Sequence, residues 1–256
     1  MSKTWGLLAL GALFFSPLAS AAEKKVDIDA VTLAKRVGQV FAGYEDFWVW
    51  VQQESYDDEG RKEDLPRIGR AYFKRDKCFR LNFDQPPVRI DATDGKEYWI
   101  YLRKAKEIRF WELDEHTPVH PLLPVFAMGD RMAKALKEYF DVDKLTLAKC
   151  EYEDKSKGRI TIDAYKLVVT LKPEKLKEMR KKAGLKRLLP DKKQTWTFWV
   201  EKKTWLPKKI RLDWETGRRS IYQFNSRFHY NIPLTKGLFQ RPRPRGVTQV
   251  QMSKDD

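Results

Sequence analysis

The chain has 256 residues, 13% of them aromatic, and carries 51 Lys and Arg against 36 Asp and Glu for a formal net charge of +15. That aromatic content excludes a disordered chain, and a length of this order buries roughly 70–75% of the unfolded surface around a core. The charge calls for an anionic partner such as nucleic acid, lipid headgroups or an acidic protein face, or for no more than a solvated surface.

Residues 1–21 have the three parts of a secretory signal in order. Lys3 supplies the positive start, residues 5–15 are an apolar run of 11 residues, and Ala19-Ser20-Ala21 is a small-x-small cleavage site. The apolar run is too short for a bilayer of ~30 Å, which needs about 20 residues. The expectation is an exported, periplasmic protein, cut after about Ala21, with one domain over 22–256. Export removes nucleic acid from the expected partners, and no Cys at the cut provides for lipoprotein anchoring. Cys78 and Cys150 then meet oxidising conditions. One disulfide and two core thiols are both compatible with the sequence.

Residues 28–42 read as an amphipathic helix, with Val31, Ala34, Val37 and Phe41 on one face and Lys35, Arg36 and Gln39 on the other. Gly43 ends it. Strands follow at about 46–56, 67–75, 78–84, 88–93, 97–103 and 106–113, with turn residues between them, among them the hairpin signal Asp94-Gly95. Short, tight connections imply an antiparallel meander. Several of these strands are apolar on both faces: Phe47, Val49 and Val51 alternate with Trp48 and Trp50, and Tyr98, Ile100 and Leu102 with Trp99 and Tyr101. A sheet solvated on one side alternates cleanly instead. Each face therefore has apolar cover or borders a cavity.

Residues 121–140 read as a Pro-rich entry to a core helix. Strands resume at about 145–153 and 159–171. Residues 172–189 then hold eight Lys and Arg against two Glu, with Pro173 at a helix start and Gly184 at an end. Between 172 and 219 there are 17 basic and 6 acidic residues, so most of the charge excess lies there. Lys175, Lys177, Arg180, Lys181, Lys182, Lys186 and Arg187 form a candidate docking segment for anionic headgroups or an acidic membrane partner, at up to about 1 kcal/mol per cation. Strands at about 194–201, 205–214 and 218–230 precede an extended, Pro-interrupted end.

Catalytic signatures are missing. There is no nucleophile elbow, phosphate loop, zinc-protease helix or paired C-x-x-C. His116 and His120 are four apart, but Pro118 between them precludes a helical metal pair. No catalytic residue, metal or cofactor is expected.

One ordered set of local patterns remains. Gly69-Arg70-Ala71-Tyr72-Phe73-Lys74-Arg75 runs into Cys78-Phe79-Arg80-Leu81. Asp94-Gly95-Lys96 then precedes Trp99-Ile100-Tyr101. Leu206-Pro207-Lys208-Lys209-Ile210, Leu238-Phe239 and Pro244-Arg245-Gly246-Val247 follow. With the leading helix and the export signal, this order resembles the periplasmic lipoprotein-carrier (LolA) family from about Leu33 to Val247. Two departures are Asp76 after Arg75, where the family commonly has Pro, and a longer basic segment.

The resemblance implies a mainly β, α+β fold, an incomplete antiparallel β-barrel or strongly curved sheet covered by helices. It also implies a monomeric, non-enzymatic carrier that shields lipoprotein or lipid acyl chains, loaded by inner-membrane release machinery and emptied at an outer-membrane acceptor. On that reading Phe47, Val49, Phe73, Phe79, Leu81, Trp99 and Tyr101 line the cavity. Leu122, Val125, Phe126 and Met128 form a lid, and Arg75 is a gate that hydrogen-bonds lid carbonyls. Apolar alternation does not fix strand parity, and a slip of one residue exchanges the cavity set for its neighbours. A carrier of another lipid or glycolipid and an envelope-stress sensor on the same scaffold are the alternatives; a hydrolase lacks a nucleophile–base set.

Overall fold

The computed structural model describes residues 26–75, 78–113, 129–175, 177 and 193–252, the side chains of residues 64, 129–132 and 135 apart. Helix α1 (Ala30–Ala42) comes first. Strands β1 (Asp46–Tyr56), β2 (Lys62–Lys74), β3 (Cys78–Gln85), β4 (Arg89–Thr93), β5 (Glu97–Leu102) and β6 (Glu107–Glu112) follow. After helix α2 (Gly129–Tyr139) come β7 (Phe140–Asp154), β8 (Gly158–Leu171), β9 (Gln194–Glu201), β10 (Pro207–Trp214), β11 (Arg219–Tyr230) and β12 (Thr248–Gln251). The expected export signal lies outside the described residues, and no described helix is long and apolar enough to cross a membrane.

The twelve described strands join one open sheet, in the order β12-β6-β5-β4-β3-β2-β1-β11-β10-β9-β8-β7. Every pairing is antiparallel except β12 with β6. The expected meander is thus two meanders, β1–β6 and β7–β11, joined where β11 returns to β1. The expected helix over 121–140 is described only from Gly129, and Phe140 already starts β7. Beyond the segment 238–247 expected to be extended, Thr248–Gln251 adds β12 at the edge, an element not expected from the sequence.

Local chemistry sets the turns. Asp94 Oδ1 accepts from the backbone N–H groups of Lys96 and Glu97, both at 2.9 Å, while Gly95 takes φ 89°. This is the Asx geometry that Asp-Gly favours. Gly217, at φ 95°, has no room for a side chain, because a Cβ there would sit 2.3 Å from the Asp58 carbonyl oxygen.

The sheet is rolled. Asp91 on β4 and Tyr222 on β11 are four strand spacings apart, about 19 Å on a flat sheet. Burial raises the Tyr222 phenol, and the nearby Asp91 carboxylate raises it further. The distal half of the β7–β8 hairpin, which outruns β9, bends the other way, over the back of the sheet. There Asp154 accepts from Ser226 N–H at 2.6 Å, and Glu153 N–H donates to Gln223 Oε1 at 3.0 Å.

Helix α1 starts at Asp29, whose Oδ1 accepts from Thr32 N–H at 2.6 Å. It buries Leu33, Ala34, Val37 and Phe41 against the concave face of the sheet and packs along α2. Cys78 and Cys150 are both buried, and no disulfide joins them. Burial pushes the Cys150 thiol up to about 11.

Candidate apolar ligand site

The register assigns each expected cavity residue to a face. Phe47 pairs with Phe73, Phe73 with Phe79, Phe79 with Thr93, and Thr93 with Tyr98, so these side chains share the concave face. Val49, Ala71 and Leu81 align beside them. All are buried. Phe47 stacks between Phe41 of α1, at 5.0 Å between centroids, and Phe73, at 4.7 Å; Phe73 meets Phe79 at 5.1 Å.

Trp99 and Tyr101 are corrections. Trp99 aligns with Ala92, Arg80, Tyr72 and Trp48, on the back of the sheet. Its Nε1 donates to the Phe239 carbonyl at 3.0 Å, and Arg80 Nη1 donates to the Leu238 carbonyl at 2.7 Å. The C-terminal segment thereby covers a small second core of Ile90, Ala92, Trp99 and Ile108, with Tyr101, Phe110 and Val247 packed on it. The inward residues of β5 are Tyr98 and Ile100. Apolar side chains on both faces of this strand hid the parity.

The concave face continues well beyond the expected residues. Tyr165, Leu167 and Val169 of β8, Trp196 and Phe198 of β9, Ile210 and Leu212 of β10 and Phe224 and Phe228 of β11 belong to the same buried cluster. The alternation in 165–169, 196–200 and 222–224 could have revealed them. The cluster spans β3 through β8 by way of β2, β1, β11, β10 and β9, six strand spacings or about 29 Å at 4.8 Å each. Among the described residues α1 and α2 lie on this face, and two helices at 8–10 Å spacing account for only part of that width.

The face is graded from end to end. The Phe47–Phe73–Phe79 row is hydrocarbon, and beside it the buried Lys208 is engaged by the Ser226 carbonyl at 3.3 Å and by Glu201 at 3.6 Å. Six residues further along β1, Gln53 donates to the Tyr222 hydroxyl at 3.2 Å. Across the roll, Arg89 grips Asp91 at 2.7–2.9 Å and the Tyr98 hydroxyl donates to Asp91 at 3.2 Å. Burial opposes the Arg89 charge, and the Asp91 carboxylate more than offsets this and raises the guanidinium pKa. Burial, then Asp91, raises the Tyr98 phenol well above its ordinary range.

Arg75, the expected gate, follows β2, and its Nη2 donates to the carbonyl of Ala42, the last residue of α1, at 3.0 Å. It holds a covering helix, though not the segment expected. The expected lid residues Leu122, Val125, Phe126 and Met128 lie outside the described residues, as do Arg180, Lys181, Lys182, Lys186 and Arg187. Of the expected docking segment, Lys177 is exposed, while Lys175 lies 3.9 Å from Glu138 and over the Tyr139 ring at the end of α2. Among the described residues no group of three or more His, Cys, Asp or Glu is arranged to hold a metal ion.

These features define a helix-covered, half-rolled sheet with an apolar concave face. No family model matches the chain, and no curated protein does. Among solved structures it is similar to an uncharacterized conserved protein from Thermus thermophilus, at 14% identity and TM-score 0.44, over 86% of this chain and 98% of that one. Similar structures also include a LolA superfamily protein from Nitrosomonas europaea, at 11% identity and TM-score 0.39, over 84% of this chain and 98% of that one. An outer membrane lipoprotein-sorting protein domain from Vibrio parahaemolyticus is similar at 12% identity and TM-score 0.40, over 82% and 95%.

Proposed function

We propose that this protein is an exported carrier that takes the acyl chains of a lipid or lipoprotein onto its concave face, beneath movable helices, and carries out no chemistry on them. The observation that carries the reading is the α1 interface. Leu33, Val37 and Phe41 lie on the hydrocarbon part of the sheet face, and at the helix end an exposed Arg75 hydrogen bond joins the packing of Phe41 on Phe47 in holding the helix to the sheet.

The magnitudes suit reversible exchange. Lifting α1 exposes three large and two small apolar side chains, at a cost of about 6–10 kcal/mol. An acyl chain of ~16 carbons gains roughly 13 kcal/mol by leaving water, at about 0.8 kcal/mol per methylene. The difference is a few kcal/mol, small enough for loading and for later release to another apolar environment. The export signal at 1–21 fits a periplasmic place of work, and the cationic segment at 172–189 fits contact with anionic headgroups or a membrane partner.

Transfer between membranes tests this reading. Donor vesicles carrying a pyrene-labelled diacyl lipopeptide are separated from acceptor vesicles by a porous barrier. Protein-dependent arrival of label in the acceptors is expected. Arrival at the same rate without protein would overturn the carrier reading. Label held firmly by the protein and never passed on favours the sensor alternative.

A further inference from the structure

We infer that the indole N–H of Trp196 is the binding donor for the carbonyl oxygen of an acyl ligand, and that it directs the polar end of that ligand to one end of the concave face. This deepens the acyl-chain reading above and rests on it.

Trp196 lies on β9 facing the concavity, between its cross-strand neighbours Leu212 and Val169. Phe140 meets its ring at 5.3 Å, edge to face, and Phe198 at 6.1 Å. The residue is only 9% exposed. Its Nε1 is buried and has no hydrogen-bond partner. An indole N–H can only donate, and buried donors nearly always have an acceptor, since water lost on burial must be replaced. Trp99 shows the ordinary solution, its own Nε1 donating to the Phe239 carbonyl.

Two other described side chains hold a buried, unpartnered polar atom, Arg103 and Thr197. Arg103 already donates through Nη2 to Asn82. Thr197 follows Trp196 on the strand and so points to the opposite face. Of these three described side chains, Trp196 is the one that belongs to the apolar cluster of the concave face.

Its position gives the donor a purpose. The next inward residue on β9 is Phe198, whose row continues through Ile210, Tyr222, Gln53 and Arg67. This is the polar end of the face. The Phe47–Phe73–Phe79 row lies six residues along β1 from Gln53, about 20 Å away. A molecule with one carbonyl and a long hydrocarbon tail matches that polarity, its ester or amide oxygen at Trp196 and its tail among the phenylalanines.

The test uses the full chain, a pyrene-tagged fatty-acid methyl ester and a pyrene-tagged alkane of equal length. Trp196→Phe keeps an aromatic ring and removes the donor. The variant should bind the ester about tenfold more weakly and the alkane unchanged. An equal loss for both probes, or no loss for the ester, would overturn the inference. A parent protein that binds neither probe would instead bring down the acyl-chain reading itself. A second readout needs no variant: the Trp196 indole proton resonance should move downfield with the ester and stay in place with the alkane. An unmoved resonance with bound ester would also overturn the assignment.

Discussion

The Arg75 guanidinium donates to the carbonyl oxygen of Ala42, joining the end of β2 to the last residue of α1. Helix-end carbonyls lack intrahelical partners, and a cation there also suits the helix dipole. The backbone N–H of Arg75 is itself fixed by the Glu45 carbonyl at 2.8 Å. The contact therefore stands where α1 turns into β1, and a helix swinging outward about Gly43 must break it.

Arg75→Leu should loosen α1 without unfolding the protein. An exposed bond of this kind contributes about 1 kcal/mol, so the denaturation midpoint should hardly move. Amide exchange in the last turn of α1 should quicken several-fold, and ligand loading should speed with it. Hydrogen exchange followed by mass spectrometry reads the first effect and stopped-flow uptake of a fluorescent lipid the second. Parent-like values in both would remove Arg75 from the gate.

The two faces of β1 should respond differently to truncation. Phe47 is buried between Phe41 and Phe73, and Phe47→Ala should cost about 3–5 kcal/mol in urea denaturation. Trp48, half-buried on the back and stacked on His229 at 3.9 Å, should cost clearly less when replaced by Ala. It should also leave acyl binding intact. Equal costs would mean that the register of β1 is misassigned.

Gly69 lies on β2 directly against the backbone of β3. A Cβ there would stand 2.0 Å from the Asn82 carbonyl oxygen, and the pairing is irregular at this point. Gly69→Ala must push the strands apart. The expected loss is about 1–3 kcal/mol or more, measured as a fall in thermal midpoint. A midpoint equal to the parent's would contradict this geometry.

Asp154 anchors the folded-back arm. Burial alone would raise its carboxyl, but hydrogen bonds from Ser226 and Ser156 outweigh it and hold the group well below the usual carboxylate range. A depressed folded-state pKa stabilises above the unfolded value near 4 and is lost as pH falls through the folded value. The stability gap between the parent and Asp154→Asn should therefore be constant above about pH 5 and shrink steadily below pH 4. Urea titrations across that range check it, and a gap that widens on acidification would contradict the sign.

Most strands were legible because Trp, Tyr, Phe, Val and Ile cluster between Gly, Pro and Asp turns; the 194–201 strand is found at its expected limits. Parity was legible only where the two faces differ. In β5 both faces are apolar, so only pairing through Thr93 to Phe79 identifies Tyr98 as inward. β12 is four residues long, and its parallel partner β6 is remote in sequence, so no local pattern announces it. The folded-back arm likewise depends on contacts such as Ser226 to Asp154, 72 residues apart. The unpartnered indole of Trp196 is a property of its surroundings, which no sequence window contains.

The most direct measurement is residue-resolved photolabelling with a diazirine-bearing fatty acyl ester bound to the full chain. Because faces alternate along each strand, adducts report the face. Labels are expected on Phe41, Phe47, Phe73, Phe79 and Phe228. Labels confined to Trp48, Tyr72 and Trp99, with the concave residues clean, would contradict that expectation.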